Sequence, residues 1–222
     1  YIHRIVPENA KILEVGAGTG RYSIALAKEG YEVTAIELLE NNLAVLKENG
    51  EGLDNLQAFQ GDALDLSRWE DETFDLTLVL GPMYHLYEKE QVHKAIDEAI
   101  RVTKKDGVIF FAFLSVYAIL FNNYLKENLQ DGIEENFTDT YEIRHFEEQL
   151  FTGYDIVEFE ELFAGKDIEY MSTVATDTIL ELARKRTDFV MSDEDFEHFF
   201  VMCNAMLHLR FLNIIYVIKI LF

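Results

Sequence analysis

Residues 12–20 read ILEVGAGTG, an apolar run carrying one acid, Glu14, followed by glycine at every second position. Lys11 to Val15 is rich in β-formers and predicts a strand. Arg21 to Glu29 places Ile24, Leu26 and Ala27 at helical spacing and stops at Gly30, a suitable residue just past a helix end. A glycine-rich turn between a strand and a helix puts unsatisfied N–H groups and a positive dipole end over whatever lies on the glycines. Without Cβ atoms, Gly16, Gly18 and Gly20 allow a ligand close to the backbone.

Spacing narrows the ligand. A dinucleotide fingerprint is G-x-G-x-x-G, whereas this stretch is G-A-G-T-G with Arg21 where the third glycine would fall. A P-loop ends in G-K-[ST], and here Gly20 is followed by Arg21 and Tyr22. Both phosphate readings are weakened.

Outward from the turn, strand-like and helix-like segments alternate. YEVTAIEL (31–38), LQAFQ (56–60), FDLTLVL (74–80) and GVIFFAFL (107–114) read as strands. Leu39 to Asn49 and Glu88 to Val102 read as helices. This alternation predicts an α/β doubly wound sheet. Ser115 to about Glu148 is aromatic, acidic and mostly helical in pattern. Asp155 to Phe163 follows as a short helix, Ile168 to Thr176 as a strand, 178–186 and 193–209 as helices, and Phe211 to Ile220 as a last strand. With two prolines and no Ser- or Gly-rich linker, residues 1–222 read as a single domain. Its core is about 10–114, its helical cap about 115–150, and its C-terminal strands and helices 151–222.

EVGAGTG resembles the first motif of class I S-adenosylmethionine-dependent methyltransferases, [D/E]-x-G-x-G-x-G. Three further features fall where that family expects them: Glu37 ending the second strand, GDA (61–63) after the third, and LGPMYHL (80–86) ending the fourth. The last is similar to the small-molecule, type 11/25-like members, whose fourth strand ends in G-P-x-Y-H-L. The resemblance covers about residues 10–114. It implies a Rossmann-like seven-stranded sheet, mostly parallel with an antiparallel last strand and a helical insertion after strand five. It further implies that S-adenosyl-L-methionine binds and S-adenosyl-L-homocysteine is the product. The cofactor-binding set it implies is Glu14, Gly16, Ala17, Gly18, Gly20, Glu37, Leu38, Asp62, Ala63 and Leu80. Glu37 would accept the ribose hydroxyls, which suits a carboxylate with two acceptor oxygens, and Asp62 would bind the adenine amino group. Asp75, opening the fourth strand, is expected to be a framework residue.

The methyl acceptor implied is a small molecule. Tyr84 and Tyr87 are candidate substrate residues, and His85 is a candidate general base, since its ordinary pKa suits neutral pH. A packing histidine that transfers no proton is the competing reading. Gly81 stands where amino-methylating N-P-P-Y enzymes carry Asn, which argues against adenine or glutamine as acceptor. The aromatic run Phe111, Phe113, Tyr117, Phe121 and Tyr124 is expected to roof an apolar pocket or to pack the cap. His85, His93 and His145 match no metal-ligand spacing, so no metal is expected.

Composition sets the remaining bounds. Nineteen Lys and Arg against 41 Asp and Glu leave a formal charge of −22, which disfavours nucleic acid as a partner. The Arg184, Lys185, Arg186 cluster reads as a solvated helix face. The single cysteine, Cys203, sits in apolar surroundings and points to a reducing cytoplasm. The apolar run Phe211 to Phe222 is broken by Asn213 and Lys219 and is too short to span a bilayer, so no membrane association is expected. The start at Tyr1 leaves room for a preceding segment. An NAD-dependent oxidoreductase, or a non-catalytic cofactor-binding protein of the same fold, remains an alternative; oligomeric state is open.

Overall fold

A computed structural model describes residues 2–120, 128–175, 190–195, 197–198 and 213–221. Five strands come first: β1 (Lys11–Val15), β2 (Glu32–Glu37), β3 (Leu56–Gln60), β4 (Phe74–Val79) and β5 (Thr103–Ser115). They are joined by α1 (Arg21–Lys28), α2 (Glu40–Asn49) and α3 (Lys89–Val102), and by a 3₁₀ turn at Pro82–His85. After β5 come α4 (Val116–Ile119), α5 (Leu129–Asn136), the two-residue β6 (Gly153–Tyr154), α6 (Ile156–Glu161), β7 (Ile168–Ala175) and β8 (Asn213–Ile220).

The sheet order is β3-β2-β1-β4-β5-β8-β7, with β6 pairing onto the far end of β5. The pairs from β3 through β5 are parallel, and β8 runs antiparallel to both β5 and β7. This is the expected doubly wound sheet, with the short β6 as an addition that two residues could not signal. Its order reverses between β1 and β4, and ligands bind beyond the carboxyl ends of strands at such a switch point.

Alternation along the strands loads both faces. Ile12, Val33, Leu76, Leu78 and Phe110 pack with Leu26 and Ala27 of α1 on one side. Leu13, Val15, Phe111 and Phe113 pack with Val92 and Ile96 of α3 and Phe159 of α6 on the other. Phe113 stacks on Phe159 at 4.0 Å between ring centroids, and Phe111 meets Phe163 edge-on at 5.2 Å. Phe111 and Phe113 are therefore fully buried core rather than a pocket roof, because period-two alternation aims both under α6. Tyr117 stands half-exposed on α4. Phe121 and Tyr124 lie outside the described residues, as do Cys203, the 184–186 cluster and nearly all of the two C-terminal helices read from sequence.

Two boundaries moved for physical reasons. β5 begins at Thr103, directly at the end of α3, and a register shift opposite Phe74–Leu76 with Asp106 at φ +61° absorbs the extra residues. The insertion stops being helical at Phe137. There the Thr138 hydroxyl accepts N–H bonds from Thr140 and Glu142, and Tyr141 takes φ +62°, so side-chain turns replace the helical ladder. Asp75 is the framework residue expected of it: one oxygen accepts from the Lys11 N–H at 2.8 Å and the other pairs with Lys104 at 2.8 Å.

Candidate functional site

The three glycines of the turn are required for three separate reasons. All have left-handed backbones, φ +72°, +57° and +88° at Gly16, Gly18 and Gly20. A Cβ on Gly16 would stand 2.9 Å from the Pro82 ring, and one on Gly20 would stand 2.8 Å from Leu46 of α2. A Cβ on Gly18 would meet nothing within 4 Å, because it would project into a cavity. The turn is stitched to β2 by the Ile36 carbonyl, which accepts from both Gly16 N–H and Ala17 N–H at 2.9 Å.

That cavity measures about 480 Å3, within the range of small-ligand sites. Its wall collects strand ends: Gly16 and Gly18 after β1, Glu37 and Leu38 at β2, Gly61 to Ala63 after β3, and Gly81, Pro82, Tyr84 and His85 after β4. Glu37 is buried and already engaged. One carboxylate oxygen accepts from Gly18 N–H at 2.7 Å; the other accepts from Leu39 N–H at 3.0 Å and from Asn42 Nδ2 at 3.3 Å. Leu39 and Asn42 also line the cavity. Asn42 had no motif to announce it, and its position one turn into α2, above Glu37, is the only signal that could have.

Asp62 accepts from Leu64 N–H at 2.9 Å, which turns the chain sharply after β3. Two loop residues further on, Leu66 N–H donates to Glu98 of α3 at 2.6 Å, and Arg101 grips Glu98 with two bonds of 2.8 and 2.9 Å. Arg101 also bonds Asp71 at 2.8 Å, and this network pins the loop that carries Asp62. The charge on Arg101 is correspondingly reinforced, its pKa pushed further up by the two carboxylates.

The opposite wall is aromatic. Tyr84 and His85 lie 4.9 Å apart between centroids, and Phe151 meets them at 5.6 and 5.2 Å. Phe151 arrives from a strap, residues 145–152, that runs beside the 3₁₀ turn. Thr152 N–H donates to the Tyr84 carbonyl at 2.9 Å, and the Tyr87 hydroxyl donates to the Gln149 carbonyl at 2.6 Å. His145 holds the end of the strap, with Nδ1 2.5 Å from the Thr152 hydroxyl and Nε2 2.9 Å from Glu158. Partial desolvation pushes the His85 pKa below its ordinary value, partly offset by the nearby Glu37 charge.

Several residues expected at the site sit behind it instead. Glu14 is 2% exposed and accepts a hydrogen bond from Ser23 of α1; burial raises its pKa to about 7. Ala17 packs with Ala35 and Leu46, and Leu80 packs against the α1-side core, leaving Gly81 and Pro82 to form the wall. Gly20 faces α2. Tyr87 faces a separate cavity of about 180 Å3 beside His145 and Glu158. Phe151 was not singled out from sequence, because only the fold brings it to His85.

Residues 12–107 match the family model described as a methyltransferase domain. Fold and this match make the segment similar to methyltransferase domains. Among curated relatives, YqeM of Bacillus subtilis (strain 168), named as a methyltransferase, is 26% identical over 210 residues, covering 94% of this chain and 78% of YqeM. The demethylmenaquinone methyltransferase of Staphylococcus aureus (strain Newman) is 35% identical over 107 residues, covering 47% of this chain and 43% of that protein. A crystal structure of a SAM-dependent methyltransferase from Methanosarcina mazei superposes with a TM-score of 0.64 at 17% identity, covering 99% of this chain and 96% of that one. The chain thus spans less than half the length of some curated relatives it matches. Among the described residues, no helix is long and apolar enough to cross a membrane.

Proposed function

We propose that this protein transfers a methyl group from S-adenosylmethionine to a small-molecule acceptor. The observation that supports it most is the convergence of Gly18, Glu37, Asp62 and Gly81, from four separate strand ends, on one cavity at the switch point. The residues fit the cofactor: a cradle at Gly18 that any Cβ would fill, a buried carboxylate at Glu37, and acceptor groups at Asp62.

In this reading Gly16, Gly18 and Gly81 admit the ligand against bare backbone, and Glu37 receives the ribose hydroxyls. A carboxylate offers about four lone-pair sites, and three donors already use Glu37. Accepting both hydroxyls therefore requires one protein donor to give way, and the Asn42 amide, at 3.3 Å the longest contact, is the one that yields. Asp62, held by its turn and the Arg101 network, presents its remaining acceptor capacity to the adenine amino group. Leu38 and Ala63 flank the base. Glu14 acts from behind, bonded to Ser23 in the first turn of α1, and so steadies the turn rather than touching the ligand.

The cofactor supplies a methyl group already activated on a sulfonium. The chain then has to hold the acceptor in line and exclude water. Tyr84 and His85 form the wall on that side. His85, which lines the cavity, accepts a proton at its ring nitrogen where the acceptor must lose one. Isothermal titration tests the reading. S-adenosylmethionine and S-adenosylhomocysteine are expected to bind one to one and NAD not to bind; binding of NAD alone would overturn it.

A further inference from the structure

The acceptor side of the cavity carries chemistry that narrows the substrate class, an inference that rests on the methyl-transfer reading above. Three rings meet there, and none lies flat on another: Tyr84 and Phe151 are at 80°, His85 and Phe151 at 52°, and Tyr84 and His85 at 58°. Tilted rings leave π-faces uncovered. Phe151 is 38% exposed and its neighbour Leu150 is 75% exposed, a costly display for a phenylalanine next to a cavity whose wall includes both of its ring partners.

The charge of the wall excludes one large group of ligands. Among the described residues, Glu37 and Asp62 are its charged ones, and no Lys or Arg is among those lining it. An anionic acceptor would enter a negative cavity of a chain with formal charge −22. The strap carrying Phe151 is also held firmly enough to discriminate. Its ends are bonded through Thr152 to Tyr84, through Gln149 to Tyr87, and through His145 to Glu158. We propose that the acceptor is an uncharged planar ring compound, and that Phe151 is the residue that selects it by packing against the ring face.

Three probes of similar bulk separate the possibilities: 1-naphthol, 1-naphthoate and the saturated, non-planar decahydro-1-naphthol, each titrated into protein saturated with S-adenosylhomocysteine. 1-Naphthol is expected to bind at least about tenfold more tightly than either of the others. Phe151→Ala is expected to weaken 1-naphthol about tenfold, the scale of one lost aromatic face, and Phe151→Tyr to restore it, with S-adenosylhomocysteine affinity unchanged throughout. Equal binding of decahydro-1-naphthol or 1-naphthoate, or no 1-naphthol binding to product-loaded protein, overturns the inference and leaves the cofactor reading standing. The wild-type ranking holds whether or not the alanine variant folds. Failure of S-adenosylhomocysteine itself to bind would instead remove the methyl-transfer reading on which the inference rests.

Discussion

On the β1–β3 side of the cavity the wall is backbone and carboxylate: Gly16, Gly18, Glu37 and Asp62, each at a strand end and each bonded within its own neighbourhood. On the β4 side it is side chain, Tyr84 and His85, with Phe151 packed against both from beyond the insertion. The first wall is fixed by the sheet, because its N–H groups and acids sit where the strands end. The second is set by a strap, whose side chains can change and leave the sheet alone. One crevice thus joins a backbone-built half-site to a side-chain-built one.

The sharpest way to break that contrast is to fill the first wall. Gly18→Leu puts a side chain where a Cβ has open cavity, and S-adenosylhomocysteine affinity is expected to fall more than about a thousandfold by calorimetry. The left-handed backbone at Gly18 adds a folding cost of about 1–2 kcal/mol, readable as a small drop in Tm.

Next in size is a pH effect from behind the same wall. Glu14 carries a pKa raised by burial from 4.5 to about 7, so between those values the folded protein holds a proton that the unfolded chain has released. Stability is therefore highest below about pH 4.5 as far as this group is concerned, and declines as pH rises toward 7. The loss reaches about 3 kcal/mol. Glu14→Gln should flatten that part of the stability–pH curve measured by chemical denaturation. An identical slope in both proteins would show that Glu14 is ionised throughout.

Glu37→Ala removes the acceptor of three protein hydrogen bonds and of the proposed ribose contact. Product affinity is expected to fall roughly 30-fold, the scale of a charged hydrogen bond, and Glu37→Gln to sit between it and wild type. Unchanged affinity would move the ribose elsewhere.

The smallest effect belongs to the second wall. Thr152→Val keeps the N–H bond to Tyr84 but loses the hydroxyl that His145 contacts, and is expected to cost about 1 kcal/mol in denaturant unfolding. Cofactor-product affinity should not change, whereas acceptor KM should rise. A fall in product affinity would mean that the two walls are not independent.

The same contrast separates what was legible in the sequence from what was not. Gly16, Gly18, Glu37 and Asp62 could be placed at strand ends because strand, turn and acid lie within a few residues of one another, and the resemblance to methyltransferase motifs is what marked them as site residues. The parallel sheet followed from the alternation of elements, since parallel neighbours need crossovers and helices supply them, whereas the strand order came only with the fold. Leu80 and Tyr87 were read into the site and lie outside the cavity wall. Gly81-Pro82 signals a turn, but which flanking side chains then face the cavity depends on how the 3₁₀ turn seats against the sheet.

The sequence by itself determined the doubly wound sheet and the backbone half of the site. Both follow from glycine conformation, strand periodicity and charge placement, which act over short stretches of chain. The tertiary structure alone decided that Glu14 is a buried support, that Asn42 stands over Glu37, and that Phe151 closes on His85. Those facts depend on contacts between segments far apart in the chain, and packing rather than local preference chooses such contacts.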